Sequence, residues 1–190
     1  MPTRRAAHST IRTLLLSLAL TLTIVGGTVT VAEAANRSLA ATIYVQEKSN
    51  WCWAATSKTV VKRTTGNTPS QCTLVKRGKN SSTCPNVTGT FGQNVSYALA
   101  DSGVSNIGTV SLGALTYSAF RGEIDSSRLV MIRWGWSSGG GHMLVLKGYN
   151  TDGSKIIYIN PLNDVYKVNS YSWMKSTSSH TWSHSRTSIF

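Results

Sequence analysis

The stretch QEKSNWCWAA, residues 46–55, joins a polar loop to the start of an apolar segment. Ser49 and Asn50 carry side chains that cap helix N-termini, and apolar residues then follow at helical spacing as far as Gly66, a residue that ends helices well. The pattern predicts a helix that holds Cys52 near its start. Unpaired N–H groups and the positive end of the helix dipole lie there, and both favour a thiolate over a thiol.

Two segments far downstream supply an imidazole and a side-chain amide. His142 opens the apolar strand pattern 142–149, and Asn160 closes the next strand pattern. Asp152-Gly153 between the two patterns is a strong hairpin signal. Because the two ends of an antiparallel pair lie side by side, the sequence predicts that the imidazole and the amide are neighbours.

A thiol, an imidazole and an amide are the parts of a hydrolase with a cysteine nucleophile. In that interpretation Cys52 attacks, and His142 carries the proton and donates it to the leaving amine. Asn160 accepts the other imidazole N–H and so orients the ring. Gln46, six residues before Cys52, donates its side-chain N–H to the developing oxyanion, with the backbone N–H of Cys52 as the second donor.

Each of these residues also has a structural explanation. His142 fits a hydrogen-bonded histidine within a sheet, Asn160 fits a turn former before a proline, and Gln46 fits a solvated surface position. The occurrence of all three with Cys52, in this order, favours the catalytic interpretation.

Four further residues are candidates for contact with a substrate. Trp134 and Trp136 flank the approach to His142, and Gly141 directly precedes it. Trp53 is adjacent to Cys52 and is expected mainly in the core or the cleft wall. Plain packing is the alternative explanation for both Trp134 and Trp136.

A metal site is not expected, since the chain has no Cys-x-x-Cys motif and no closely spaced set of Cys and His residues. His180 and His184 are four residues apart, as two ligands on one helix face would be. Their segment is rich in Ser and Thr, which favours a solvated tail instead. We expect neither a metal nor a cofactor.

Three cysteines remain to be paired or left free. Cys72 and Cys84 bracket a polar loop that a disulfide can close, which leaves Cys52 as the odd thiol. A free thiol in an exported protein needs a reason, and nucleophilic catalysis is one. The alternatives are that Cys52 pairs with one of the other two cysteines, or that it is buried and inert.

Helical patterns come first along the chain and strand patterns follow. Beyond the helix that starts near Cys52, the sequence predicts the following segments: a loop over 66–90; helices over 91–101 and 115–126; strands over 129–134, 142–149 and 155–160; edge strands over 166–174 and 187–190. This order predicts an α+β fold in which a helical half packs on an antiparallel sheet, with the site in the cleft between them. Residues 35–190 are expected to form one domain.

Residues 1–34 have the pattern of an export signal. Arginines precede an apolar run, residues 14–25, that is too short to span a bilayer comfortably, and Ala32-Glu33-Ala34 supplies small residues for cleavage. An uncleaved anchor is the alternative. Cleavage would leave a secreted chain with no stable membrane insertion.

The whole chain carries a net charge of +12, and residues 35–190 alone carry +10. This charge predicts good solubility and a weak attraction to anionic cell surfaces. The basic residues are scattered and are not interleaved with stacking aromatics, so no nucleic-acid partner is expected.

Three segments together resemble the papain-like cysteine peptidases: Gln46 with residues 50–55, residues 141–149, and residues 159–161. They are most similar to the compact bacterial branch, which includes bacteriocin-leader-processing peptidases and avirulence-type effector proteases. The resemblance implies a papain-like fold and endopeptidase activity through a thioester. The 90-residue interval between Cys52 and His142 is shorter than in plant papain-type enzymes. Asn160 stands where many compact members carry aspartate.

The sequence therefore predicts a secreted cysteine endopeptidase that acts on a protein or peptide. Two alternatives stay open: a cell-wall peptide hydrolase or amidase with the same chemistry, which the basic charge favours, and a binding or effector module that retains the fold without turnover. The sequence alone indicates neither the bond that is cleaved nor an activating partner or oligomeric state.

Overall fold

The structure is a computed structural model that describes Met1 and residues 35–190. The predicted export signal, residues 1–34, lies outside the described residues apart from Met1. The helices are α1 (Cys52–Thr65), α2 (Gln71–Lys79), α3 (Gln93–Ala100), α4 (Tyr117–Asp125) and α5 (Tyr171–Lys175). The strands are β1 (Asn36–Ser38), β2 (Ile107–Leu112), β3 (Val130–Trp136), β4 (Gly141–Asn150), β5 (Lys155–Ile159), β6 (Tyr166–Ser170) and β7 (His180–Ile189).

All strands of the described residues belong to one antiparallel sheet in the order β2-β7-β3-β4-β5-β6, and β1 pairs with the end of β4. β3 and β4 form a hairpin in which Trp134 lies opposite His142. β4 and β5 form the next hairpin, in which Val145 lies opposite Ile159. The predicted pairing of these strands is confirmed, and Asn160 directly follows β5.

The helices α1, α2 and α3 pack on one another, and α1 and α4 pack against β4. Within residues 35–190, the buried hydrophobic side chains form one core that joins the helices to the sheet. The predicted α+β class is therefore confirmed. Among the helices of the described residues, none is both long and apolar enough to cross a membrane.

The start of α1 differs from the prediction in its cap. Gly66 ends α1 in the left-handed conformation as predicted, but Trp51 is the N-cap residue and no side chain caps the helix. Asn86 bonds instead to both predicted caps: its Nδ2 donates to Ser49 Oγ, and its own backbone O and Oδ1 accept from Asn50. The first-turn N–H groups beside Cys52 thus remain without a side-chain cap.

The prediction of a loop over 66–90 was wrong for its middle part, which forms α2. Ser70 caps this helix by accepting a hydrogen bond from Thr73 N at 3.0 Å, and Asn80 ends it in the left-handed conformation. Ser70 and Asn80 are residue types that begin and end helices, but the polar composition of the segment favoured the prediction of a loop. The predicted disulfide between Cys72 and Cys84 is confirmed, and Cys52 is a free cysteine.

The prediction of a solvated tail near His180 and His184, with only a short edge strand after it, was also wrong. β7 spans this segment and lies inside the sheet, between β2 and β3. His180 is buried and stacks on Trp134 with ring centroids 4.1 Å apart. Ser and Thr side chains are compatible with an interior strand whose backbone pairs on both sides, so composition misled the prediction.

Two glycines make room for the indole of Trp53. A Cβ at Gly78 would lie 2.5 Å from Trp53 Cζ3 and 2.7 Å from Asn94 O, and a Cβ at Gly89 would also overlap the ring. Trp53 Nε1 donates to Val87 O at 3.1 Å. The indole thus packs α1 against α2 and against the segment that leads into α3.

We predict that Gly78→Ala lowers the free energy of unfolding by about 1–3 kcal/mol, because the added methyl group overlaps a buried ring and a backbone oxygen. Gly122→Ala is the matched control: it is also within a helix, and a Cβ there meets nothing within 4 Å. It should raise the stability by about 0.5–1 kcal/mol. Urea unfolding measures the free energy of unfolding of both variants. Equal changes in the two would contradict the close packing of Trp53 on Gly78.

Candidate active site

A cleft of about 670 Å³ lies where the start of α1 meets the sheet. It is lined by Gln46, Ser49, Asn50, Cys52, Thr88, Gly89, Thr90, Phe91, Gly92, Arg133, Trp136, Gly140, Gly141, His142, Met143, Leu162 and His184. The cleft brings together Cys52 and His142, which are 90 residues apart in the sequence.

Cys52 is the first residue of α1, and its thiol points towards the start of β4. Burial is the largest influence on this thiol and raises its pKa above the ordinary value of 9.0. The backbone N–H groups of Met143 and Trp53 and the charge of Arg133 lower the pKa, but by less. Met143 directly follows His142, so the sulfur faces the strand that carries the imidazole.

His142 is the second residue of β4, and only 5% of its surface is exposed. Its Nε2 lies 2.8 Å from Asn160 Oδ1, and Trp136 stacks on the ring at 5.9 Å between centroids. Asn160 Oδ1 also accepts from Leu162 N at 3.0 Å. Because this oxygen is an acceptor, Nε2 carries the proton in the neutral ring and Nδ1 keeps its lone pair.

Burial lowers the pKa of His142, and the hydrogen bond to Asn160 raises it by less. In the free protein, burial thus works against the charged form of both groups: it raises the thiol pKa and lowers the imidazole pKa. This differs from the low thiol pKa expected from the helix start alone, because burial outweighs the first-turn N–H groups. Within residues 35–190 no hydrogen bond joins the sulfur to the imidazole.

Gln46 lines the cleft, but its amide is engaged with its own loop. Nε2 donates to Lys48 O at 3.0 Å and to Ser49 O at 2.8 Å, whereas Oε1 is buried without a partner. The backbone N of Gln46 donates to Pro161 O at 2.8 Å, which ties this loop to the residue after Asn160.

Sequence reasoning missed a buried residue that holds the Gln46 segment. Gln71 of α2 accepts from Glu47 N at 3.0 Å and donates to Val45 O at 2.7 Å, so it fixes both neighbours of Gln46. No sequence signal pointed to Gln71, because its segment was predicted as a loop.

A second residue that was missed is Arg186 of β7, which is buried. Its guanidinium donates to Phe91 O at 2.8 Å and to Gly92 O at 2.9 Å. These two residues form a wall of the cleft. Burial lowers the pKa of Arg186 to about 10, which still leaves it charged near neutral pH, so a buried cation holds that wall in position.

The four candidate substrate contacts separate into two pairs. Trp136 and Gly141 line the cleft. Trp53 is fully buried, and Trp134 is only 3% exposed and donates from Nε1 to Met174 O. The structure therefore assigns Trp53 and Trp134 to packing, which was the main expectation for Trp53 and the alternative for Trp134, and it removes both from the candidate substrate contacts. In residues 35–190, no group of three or more His, Cys, Asp and Glu side chains is arranged to hold a metal ion.

A cysteine at a helix start, facing an amide-oriented histidine on an antiparallel sheet, defines a papain-like thiol hydrolase. The family model described as papain-like cysteine protease AvrRpt2 matches residues 34–179, which is more than half of the chain. The chain belongs to this family and is a cysteine peptidase, as the resemblance implied. A comparison with curated proteins found no match.

We predict that Asn160→Asp moves the pH profile of Cys52 alkylation to lower pH. A carboxylate beside Nε2 stabilises the imidazolium, and an imidazolium stabilises the thiolate. Asn160→Ala should move the profile to higher pH, because it removes the bond that raises the pKa of His142. The rate of iodoacetamide labelling between pH 4 and 10 measures both shifts. Identical profiles in all three proteins would contradict this role of Asn160.

Proposed function

We propose that the protein is a secreted cysteine endopeptidase in which Cys52, His142 and Asn160 are the catalytic residues. The observation that carries this proposal is the shared cleft: Cys52, the free cysteine of residues 35–190, and an amide-oriented histidine line the same cavity. Membership of a cysteine peptidase family supports the same reaction.

In the proposed reaction, Nδ1 of His142 takes the proton of the Cys52 thiol as the sulfur attacks the scissile carbonyl carbon. The tetrahedral intermediate then collapses. The C–N bond breaks, the imidazolium proton passes to the leaving amine, and a thioester remains on Cys52. Water attacks this thioester while Nδ1 takes its proton, which releases the acid and restores the thiol. Asn160 keeps Nδ1 directed at the cleft throughout.

The oxyanion of the intermediate needs hydrogen-bond donors. The backbone N–H of Cys52 belongs to the uncapped first turn of α1 and is a ready donor. Gln46 becomes the second donor when one N–H of its amide turns from a loop carbonyl towards the substrate oxygen. Its position in the cleft supports this role, and the two bonds to Lys48 O and Ser49 O are the contacts to be exchanged.

The proposed substrate is a protein or peptide outside the cell. The export pattern of residues 1–34 and the disulfide between Cys72 and Cys84 both support secretion, since disulfides persist in oxidising compartments. The net charge of +10 on residues 35–190 favours a second candidate, the peptide stems of an anionic cell wall.

We predict that Cys52→Ala abolishes hydrolysis, with a loss of roughly 10⁴-fold or more, and leaves the fold intact. Casein and purified peptidoglycan serve as the two substrates, so the assay also separates the two candidates. Circular dichroism controls for folding. Hydrolysis that persists in the Cys52→Ala variant would refute the assignment of the nucleophile.

We predict that Gln46→Ala lowers kcat by roughly 10²–10³-fold, the usual effect of losing one oxyanion donor. Gln46→Glu is the matched variant, because it keeps the shape and removes the N–H groups. Steady-state kinetics on the substrate that is cleaved should show a comparable loss of kcat in both variants. Full activity in Gln46→Glu would show that this side chain does not donate to the oxyanion.

A further inference from the structure

The cleft contains a charge that the catalytic groups do not use. Arg133 of β3 lines the cleft and is half-buried. In the sheet it lies opposite Met143 on one side and His184 on the other, and both of these residues also line the cleft. Its charge lowers the pKa values of Cys52 and of His184, as expected for a cation that lines the same cleft.

The Arg133 guanidinium is held in place. Nη1 donates to Ser183 Oγ at 2.9 Å, and Nη2 donates to Gly140 O at 2.6 Å. A Cβ at Gly141 would lie 2.5 Å from Nη2, so the glycine before His142 leaves the space in which the guanidinium sits. A fixed guanidinium loses little entropy when it binds a carboxylate, which makes it a good recognition group.

No acidic side chain neutralises Arg133 in the described residues. The residues that line the cleft include neither Asp nor Glu. The two ion pairs within residues 35–190 join other arginines to Asp125 and Glu123. A guanidinium has five N–H donors, and two of those of Arg133 are used by protein acceptors, so donors remain for a ligand in the cleft.

We propose that Arg133 forms an anionic subsite, so that the peptidase prefers substrates with an Asp or Glu side chain close to the scissile bond. The carboxylate binds the free N–H donors of the guanidinium, beside the catalytic pair. This inference rests on the proposed function and names the substrate class of that same site.

The first arm of the test uses pairs of peptides that are identical except that one carries Asp where the other carries Asn. A separate pair is made for each position on both sides of the scissile bond. The wild-type protein should cleave the Asp peptide about fivefold faster in kcat/KM at one position, the effect of a partly exposed ion pair. Arg133→Gln should abolish this preference, and added salt should weaken it in the wild type.

Two variants serve as controls. Arg133→Lys keeps the charge without the fixed guanidinium and should keep part of the preference. An equal loss in the Lys and Gln variants would mean that the bonds to Ser183 and Gly140 merely shape the cleft, and would overturn the proposal. Arg63→Gln removes the same charge from an exposed position in the last turn of α1, outside the cleft, and should change nothing.

The second arm needs no peptide turnover. Cys52 is alkylated with iodoacetate, which is anionic, and with iodoacetamide, which is neutral, at one pH. The ratio of the two rates cancels the ionisation of the thiol and reports anion attraction alone. Arg133→Gln should lower this ratio about threefold, as expected for the loss of one nearby charge.

The two arms separate this inference from the proposed function. Peptide cleavage without an acidic preference, or with a preference that Arg133→Gln retains, overturns the subsite while the peptidase stands. If no peptide is cleaved, the proposed function fails. The alkylation ratio then tests the anionic subsite alone: a lower ratio in Arg133→Gln supports the subsite, and an unchanged ratio overturns it.

Discussion

The contact between the first turn of α1 and the start of β4 is the constraint on which the site depends. It brings the sulfur of Cys52 to the strand that carries His142, although 90 residues separate them. β4 cannot shift to accommodate a different arrangement, because it pairs with β3 on one side and β5 on the other. A one-residue slip would turn His142 to the opposite face of the sheet.

The same contact determines the electrostatics of the cleft. Packing the helix start against the sheet removes water from both reacting groups, and burial is the largest influence on the pKa of each. In the free state burial disfavours a charge on either group, whereas the geometry is already in place: Asn160 orients the ring, and the sulfur lies at the strand that carries it. A substrate that excludes the remaining water meets groups that are already positioned.

Buried polar side chains support the cleft from behind. Gln71 holds the two neighbours of Gln46, and Arg186 holds the carbonyl groups of Phe91 and Gly92. Gln71 thereby ties an irregular segment to α2, and Arg186 ties the start of α3 to β7. Neither residue contacts the reacting atoms, yet together they fix the two walls between which a peptide would lie.

Local patterns in the sequence were enough to predict Cys52 at a helix start, the hairpin that brings the side chains of His142 and Asn160 together, and the disulfide between Cys72 and Cys84. Each depends on neighbours in the chain or on a short turn, so the information is local.

The polar helix α2 and the inner strand β7 were missed, because segments rich in Ser, Thr and Asn acquire their structure from partners distant in sequence. Whether Trp53 and Trp134 contact a substrate or only pack stayed open, since the sequence cannot show which face of an element a neighbour covers. The burial that shifts the two pKa values, and the unpaired charge of Arg133 in the cleft, were decided by tertiary structure alone, because both depend on what surrounds a side chain in space.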